Sequence, residues 1–205
     1  MLKTKVAVLV SGNGTNLQAI IDAEKRGEIP FGELALVVSN KADAYALKRA
    51  EAAGIDVKHI PFPSKESFEA EFKKLLTEYG IELIVMAGFM RVLSENFIKS
   101  WANRIINVHP SLIPSFCGDG FFGLKVHQAA LDYGVKVTGA TVHFVNEITD
   151  GGEIIAQRAV DIKKGDTPET LQKRVMEEAE WIIFPLAVAE ISEKLQQKRE
   201  ELPSE

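Results

Sequence analysis

Unbroken apolar runs separated by helix-length segments are the feature that most constrains this chain. Val6–Val10, Leu34–Val38 and Leu83–Ala87 lack the apolar–polar alternation of half-buried strands, so they predict strands covered on both faces. Val57–Ile60 and Arg104–Val108 complete a set of five. Between them, Leu17, Ile20 and Ile21 recur at helical spacing before Gly27; Asp43–Ala53 ends at Gly54; Glu66–Tyr79 follows a capping Ser64; Glu95–Ala102 precedes the fifth strand. This alternation predicts an α/β fold, an open, mostly parallel twisted sheet with helices on both faces. The pattern changes after about residue 110. A loop over Ser115–Leu124 leads to a helix at Lys125–Tyr133. Gly139–Val145 and Glu153–Asp161 then read as an antiparallel strand pair, joined by Asn146–Gly152. Thr167 as N-cap and Pro168 at the first helical position open a long C-terminal helix, in which Pro185 predicts a kink.

In such a Rossmann-like arrangement ligands bind at the carboxyl edge of the strands, which directs attention to the residues that follow each apolar run. The fifth strand ends in Asn107-Val108-His109-Pro110. Residues two apart on a strand share a face, so an amide and an imidazole project together where the strand stops. That pair can polarise a carbonyl and move a proton, which suits acyl transfer. A structural amide beside a strand-end histidine is the plainer alternative.

Ser11-Gly12-Asn13-Gly14-Thr15-Asn16 lies between the first strand and the first helix. Glycines let the backbone approach an anion, and a helix N-terminus supplies free N–H groups and a favourable dipole. The ligand this predicts is a monophosphate; the alternative is a tight turn with no ligand. Leu17 stands where a dinucleotide fingerprint needs its third glycine, and Ser39-Asn40 offers no acid for a ribose. No Gly-Lys-Ser/Thr follows, so a triphosphate loop is excluded. Asp150-Gly151-Gly152 is a turn signal, or else places Asp150 across a cleft from His109, where its charge would favour the imidazolium. Met90-Arg91 is core, or one wall of an apolar slot for a ring system. His59, His127 and His143 lack metal-ligand spacing and read as structural or surface residues; no metal site is expected. Glu177, Glu178 and Glu180 read by default as a solvated helix face.

The chain's 205 residues fit one domain, and 46% hydrophobic content supports a sizeable core. A net charge of −5 argues against wholesale attraction to nucleic acid. The lone Cys117 cannot form an intrachain disulfide, which fits a reducing compartment, and the cytoplasm is the expected location. The run Val6–Val10 is too short for a signal peptide, and no stretch reaches the length of a membrane span, so no membrane partner is expected. An amphipathic helix can face a core or a second subunit, so a homodimer stays open.

Several segments occur together and in order: Ser-Gly-Asn-Gly-Thr-Asn-Leu-Gln-Ala-Ile-Ile at 11–21, Ser-Asn-Lys-Ala-Asp-Ala at 39–44, Ala-Gly-Phe-Met-Arg-Val-Leu at 87–93, Ile-Asn-Val-His-Pro-Ser-Leu-Ile-Pro at 106–114, Thr-Val-His-Phe-Val at 141–145 and Asp-Gly-Gly at 150–152. Taken together they closely resemble the phosphoribosylglycinamide formyltransferases, folate-dependent enzymes of purine synthesis, from residue 5 to about 190. The resemblance implies a single formyltransferase domain over 1–195, with a phosphate-binding β/α half (1–110), a folate-site half (111–195) and a polar tail at 196–205. It implies transfer of the formyl group of 10-formyltetrahydrofolate to the amine of glycinamide ribonucleotide, with these two small molecules as partners and no metal. Asn107, His109 and Asp150 are the implied catalytic residues. Gly12, Asn13, Gly14, Thr15, Asn16, Leu17, Gln18, Pro110 and Glu180 would bind the ribonucleotide. Lys65, Met90, Arg91, Val92, Leu93, Asn107, Asn146, Glu147, Ile148 and Thr149 would bind the folate. The alternative is another user of 10-formyltetrahydrofolate, a transferase or hydrolase of the kind that carries an additional domain; a binding module without turnover is the third expectation. Two departures stand out. The loop Phe116–Gly123 is several residues longer than the usual form, and Lys65 replaces a common Arg, keeping charge but losing the planar fork.

Overall fold

The computed structural model describes residues 2–201. Seven strands form one sheet: β1 (Thr4–Val10), β2 (Gly32–Ser39), β3 (Asp56–His59), β4 (Leu83–Met86), β5 (Ile105–His109), β6 (Val137–Phe144) and β7 (Ile154–Asp161), in the order β3-β2-β1-β4-β5-β6-β7. The first five pair in parallel, whereas β5–β6 and β6–β7 are antiparallel. The helices are α1 (Thr15–Lys25), α2 (Tyr45–Ala52), α3 (Lys65–Glu78), α4 (Glu95–Ser100), α5 (Leu124–Tyr133), α6 (Pro168–Val175) and α7 (Trp181–Glu201). All seven expected strands are present.

The apolar runs are explained by two cores, one on each side of the sheet. In β1, Val6, Val8 and Val10 join one cluster with Leu17, Ile20 and Ile21 of α1 and Phe184 and Val188 of α7. Ala7 and Leu9 face the other, with Phe68 and Phe72 of α3 and Phe97 of α4. A strand with layers on both sides has no solvent face, so it cannot alternate. In β5, Ile106 and Val108 belong to the first core and Ile105 to the second. Asn107 and His109 therefore continue the α3/α4 side of the sheet at the point where that core ends.

The C-terminal region departs from the sequence reading in two ways, the break in its helix and the length of its last segment. The long helix is broken by a π-helical turn at Met176–Glu180, nine residues after its N-cap Thr167 and before Pro185. Pro185 itself lies buried within α7. And α7 continues to Glu201, past the expected start of a frayed tail at 196: Gln196 is buried and Arg199 forms an ion pair with Glu82 at 2.8 Å. Residues 202–205 of that expected tail lie outside the described residues. Among the described residues, no helix is long and apolar enough to cross a membrane.

Candidate active site

β1 hands over to α1 through Ser11–Gly14. Gly14 is the N-cap in a left-handed conformation (φ 70°), and α1 has no side-chain cap. The first backbone bond into the helix is Gln18 N–H to Gly14 O at 2.9 Å, so the preceding first-turn N–H groups keep their donors. A Cβ on Gly14 would lie 2.5 Å from Ala46 Cβ, so glycine is needed both for the backbone angle and for the approach of α2. Gly12 has open space around it. Ser11 is buried; its Oγ donates to Asn40 Oδ1 (2.6 Å) and accepts from the backbone N–H of Met90 (2.9 Å). Leu17 turns its side chain into the core and offers only its backbone here. Gln18 accepts from Arg49 and donates to Asp22.

At the carboxyl edge of β5, His109 is 4% exposed. Its Nδ1 lies 3.3 Å from Asp150 Oδ2, and its Nε2–H donates to the carbonyl of Phe116 at 2.9 Å. Both ring nitrogens face acceptors, and only the doubly protonated ring can donate from both. The β5–β6 ladder runs on to Val145 N–H to Ile105 O, away from His109; the β6–β7 connection then reverses, with a turn closed by Gly151 N–H to Ile148 O at 2.9 Å, and this brings Asp150 back to His109. Asp150 sits at φ 54°, and Gly118 N–H donates to its Oδ2 (3.0 Å). Burial opposes ionisation of Asp150, but the His143 and His109 rings and the Gly118 amide outweigh it and hold the carboxyl below the usual carboxylate range.

The glycines after Asp150 have a packing reason. A Cβ on Gly152 would lie 1.7 Å from Phe144 O, against rigid backbone. We expect Gly152→Ala to displace the loop that carries Asp150 and to lower kcat at least about tenfold, each ångström of misplacement being costly. Steady-state kinetics checks this; an unchanged kcat would show that the loop relaxes without moving the acid.

His143 belongs to this cluster although its spacing gave no such signal. It pairs with Asn107 across the antiparallel β5–β6 ladder. Its Nδ1–H donates to Phe144 O at 2.8 Å, while Nε2 lies 3.3 Å from Asn107 Nδ2 and 3.7 Å from Asp150 Oδ1. The ring thus braces the carboxamide and the acid. His127 is fully buried, and burial first, then the neighbouring His109, pushes its pKa down to about 4. Among the described residues, no three His, Cys, Asp or Glu side chains group as metal ligands.

Asn107, His109, His143 and Asp150 line the inner part of a cavity of about 790 Å³. Lys65, Met90, Arg91, Val92, Leu93 and Asn146, Glu147, Ile148 and Thr149 also line it. Met90, Val92 and Ile148 leave more than half of their surface exposed, giving an apolar mouth. The Arg91 guanidinium lies 5.4 Å from the Phe62 ring centre. The long loop supplies a further wall through Gly118–Gly123 and hydrogen-bonds across to the β6–β7 connection, Thr149 Oγ1 donating to Asp119 Oδ1 at 3.1 Å.

At the other end the cavity meets Asn16, Pro110 and Glu180. Gly12–Thr15, Leu17 and Gln18 lie beyond its lining, so Asn16 is the junction between glycine loop and cavity. Glu180 is not on a solvated face: it is 6% exposed and accepts from Asn16 Nδ2 at 2.6 Å. Burial pushes its pKa up to about 6, the Asn16 hydrogen bond working the other way. Glu177 and Glu178 remain exposed as expected.

The formyl transferase family profile matches residues 4–188. The trifunctional purine biosynthetic protein adenosine-3 of Gallus gallus is 49% identical over 189 residues, 91% of this chain but 18% of that protein. This chain therefore spans about a fifth of the length of such trifunctional relatives. The phosphoribosylglycinamide formyltransferase of Escherichia coli is 41% identical over 187 residues, covering 90% of this chain and 85% of that one. The crystal structure of glycinamide ribonucleotide transformylase 1 from Symbiobacterium toebii superposes with a TM-score of 0.86 at 44% identity, over 94% of this chain and 89% of that one.

Proposed function

Because the chain belongs to the formyl transferase family, and within it to the phosphoribosylglycinamide formyltransferases, we propose that it transfers the formyl group of 10-formyltetrahydrofolate to the amine of glycinamide ribonucleotide, a step of de novo purine synthesis. The observation that carries this reading is the convergence of Asn107, His109 and Asp150 in the inner part of a cavity that has an apolar mouth on one side and Asn16 and Glu180 on the other. Its volume of about 790 Å³ suits a folate-sized ligand. Met90, Val92 and Ile148 match a flat ring system, and Lys65 and Arg91 supply cations for its acidic tail.

The substrate amine attacks the formyl carbon. A new C–N bond forms as the bond between that carbon and N10 of the donor breaks, and the proton lost by the amine ends on N10. Asn107 donates through its amide N–H to the formyl oxygen as that oxygen gains negative charge. His109, oriented through Nδ1 by Asp150, turns Nε2–H from the Phe116 carbonyl to the same oxygen. A water held by Asp150 relays the proton. Glu180 and Asn16 receive the ribose or glycinamide portion, with Pro110 beside it. The loop Gly12–Gln18 holds the phosphate with backbone N–H groups and the α1 dipole. The reaction as written requires no metal. Residues 1–195 act as one formyltransferase unit, and the cytoplasm, in keeping with a lone unpaired Cys117, is its location.

An assay of 10-formyltetrahydrofolate consumption with the acceptor varied tests this. Consumption should require glycinamide ribonucleotide and match the product formed. Equal consumption without the amine would make the protein a hydrolase.

A further inference from the structure

The glycine loop faces a charge problem that its own residues do not solve. A phosphomonoester carries about −1.5 to −2 at neutral pH, whereas a helix N-terminus offers the equivalent of about +0.5. No charged side chain occurs between Ser11 and Gln18. Roughly one negative charge or more is left uncompensated.

Arg49, one turn into α2, lies against this loop. Its Nε–H donates to the carbonyl of Asn13 at 2.7 Å and its Nη1–H to Gln18 Oε1 at 3.1 Å. Its Cδ is 3.6 Å from where a Gly14 Cβ would be, so its stem runs beside the helix cap. The Tyr45 ring supports the guanidinium from one side, 4.9 Å from centre to carbon. Gly12 O in turn accepts from Ala46 N–H at 3.0 Å, locking α2 to the loop. A guanidinium has five N–H donors; two are used, and the other three have no acceptor among the described residues. No carboxylate pairs with Arg49 among those residues. An arginine oriented at two points beside an anion seat, with its charge unspent, is arranged for a bidentate phosphate contact.

We propose that Arg49 completes the phosphate seat and determines specificity for a dianionic phosphomonoester over the corresponding uncharged nucleoside. The proposal rests on the reading that the glycine loop holds the substrate's phosphate. Arg49 contacts the phosphate alone and takes no part at the formyl carbon.

Calorimetry with inorganic phosphate, at several salt concentrations, separates this role from the chemistry. Arg49→Met should weaken phosphate binding at least tenfold and flatten its salt dependence by about one charge. Lys48→Gln, which removes an exposed charge from the same helix, should leave both unchanged. Arg49→Lys should recover part of the affinity and the full salt slope. In turnover, Arg49→Met should raise KM for glycinamide ribonucleotide in parallel, with kcat and KM for the formyl donor unchanged. Unaltered phosphate affinity in Arg49→Met would overturn the proposal. So would weakened binding with the wild-type salt slope, because that marks a loop-bracing role only. If wild-type protein bound phosphate through Arg49 yet passed no formyl group, the transferase reading would fail while the anion contact stood.

Discussion

His109→Ala is expected to lower kcat by about 10²–10⁴-fold, the range for losing a positioned acid–base group, while the fold survives. The ring is the last side chain of β5, and its backbone partner Thr141 on β6 is unaffected by its loss. Its two side-chain partners are the Asp150 carboxylate and the Phe116 carbonyl, both on loops. Removing the imidazole therefore deletes the proton-bearing group and leaves both cores packed. Kinetics paired with thermal unfolding checks this. Near-normal kcat would remove His109 from the reaction; a collapse in Tm would instead make it a structural residue.

Asp150→Asn is expected to cost about 10²–10³-fold in kcat, the lower part of the same range, because the side chain keeps its shape and one acceptor but loses its charge. The wild-type carboxyl is held below the usual carboxylate range although burial opposes ionisation. Its stabilising contribution is therefore complete above the unfolded value of about 3.9 and fades as pH falls through the lower folded value. Across the working range of pH the negative charge is constant. Replacing it with a neutral amide removes the charged partner 3.3 Å from Nδ1 and the acceptor that orients the ring. The loss should fall on kcat in steady-state kinetics, with little change in KM for either substrate. An unchanged kcat would mean that the two groups meet without consequence.

From local pattern alone, the parts of this site that lie within one element were readable in advance and those that depend on how elements meet were not; Asp150 and Glu180 entered only through the family resemblance. Asn107 and His109 share a face by strand geometry alone. The proximity of Asp150 depends on a loop that folds back over β5, which an Asp-Gly-Gly turn signal does not encode. His143 needed the β5–β6 register: antiparallel pairing sets it opposite Asn107, whereas its own spacing suggested nothing. Glu180 was hidden by the π-helical turn, which changes the helical phase between Val175 and Trp181. Counted on from Leu171 and Val175 at 3.6 residues per turn, Glu178 would face the core and Glu180 the solvent; the wider turn leaves Glu178 exposed and sends Glu180 inward to Asn16. Arg49 gave no motif at all, since a lone arginine in an amphipathic helix is ordinary until the loop it touches is known. The strands, by contrast, were legible because a double-sided core demands uninterrupted apolar residues.

One hydroxyl joins the two halves of the molecule's chemistry. Ser11 Oγ–H donates a hydrogen bond to Asn40 Oδ1 just beyond β2 and accepts one from the Met90 N–H beyond β4. The glycine loop and the apolar wall are thereby pinned to a common point. Under the proposed function, affinity for the ribonucleotide and affinity for the folate are coupled through this hydroxyl, and a change at Ser11 should disturb both.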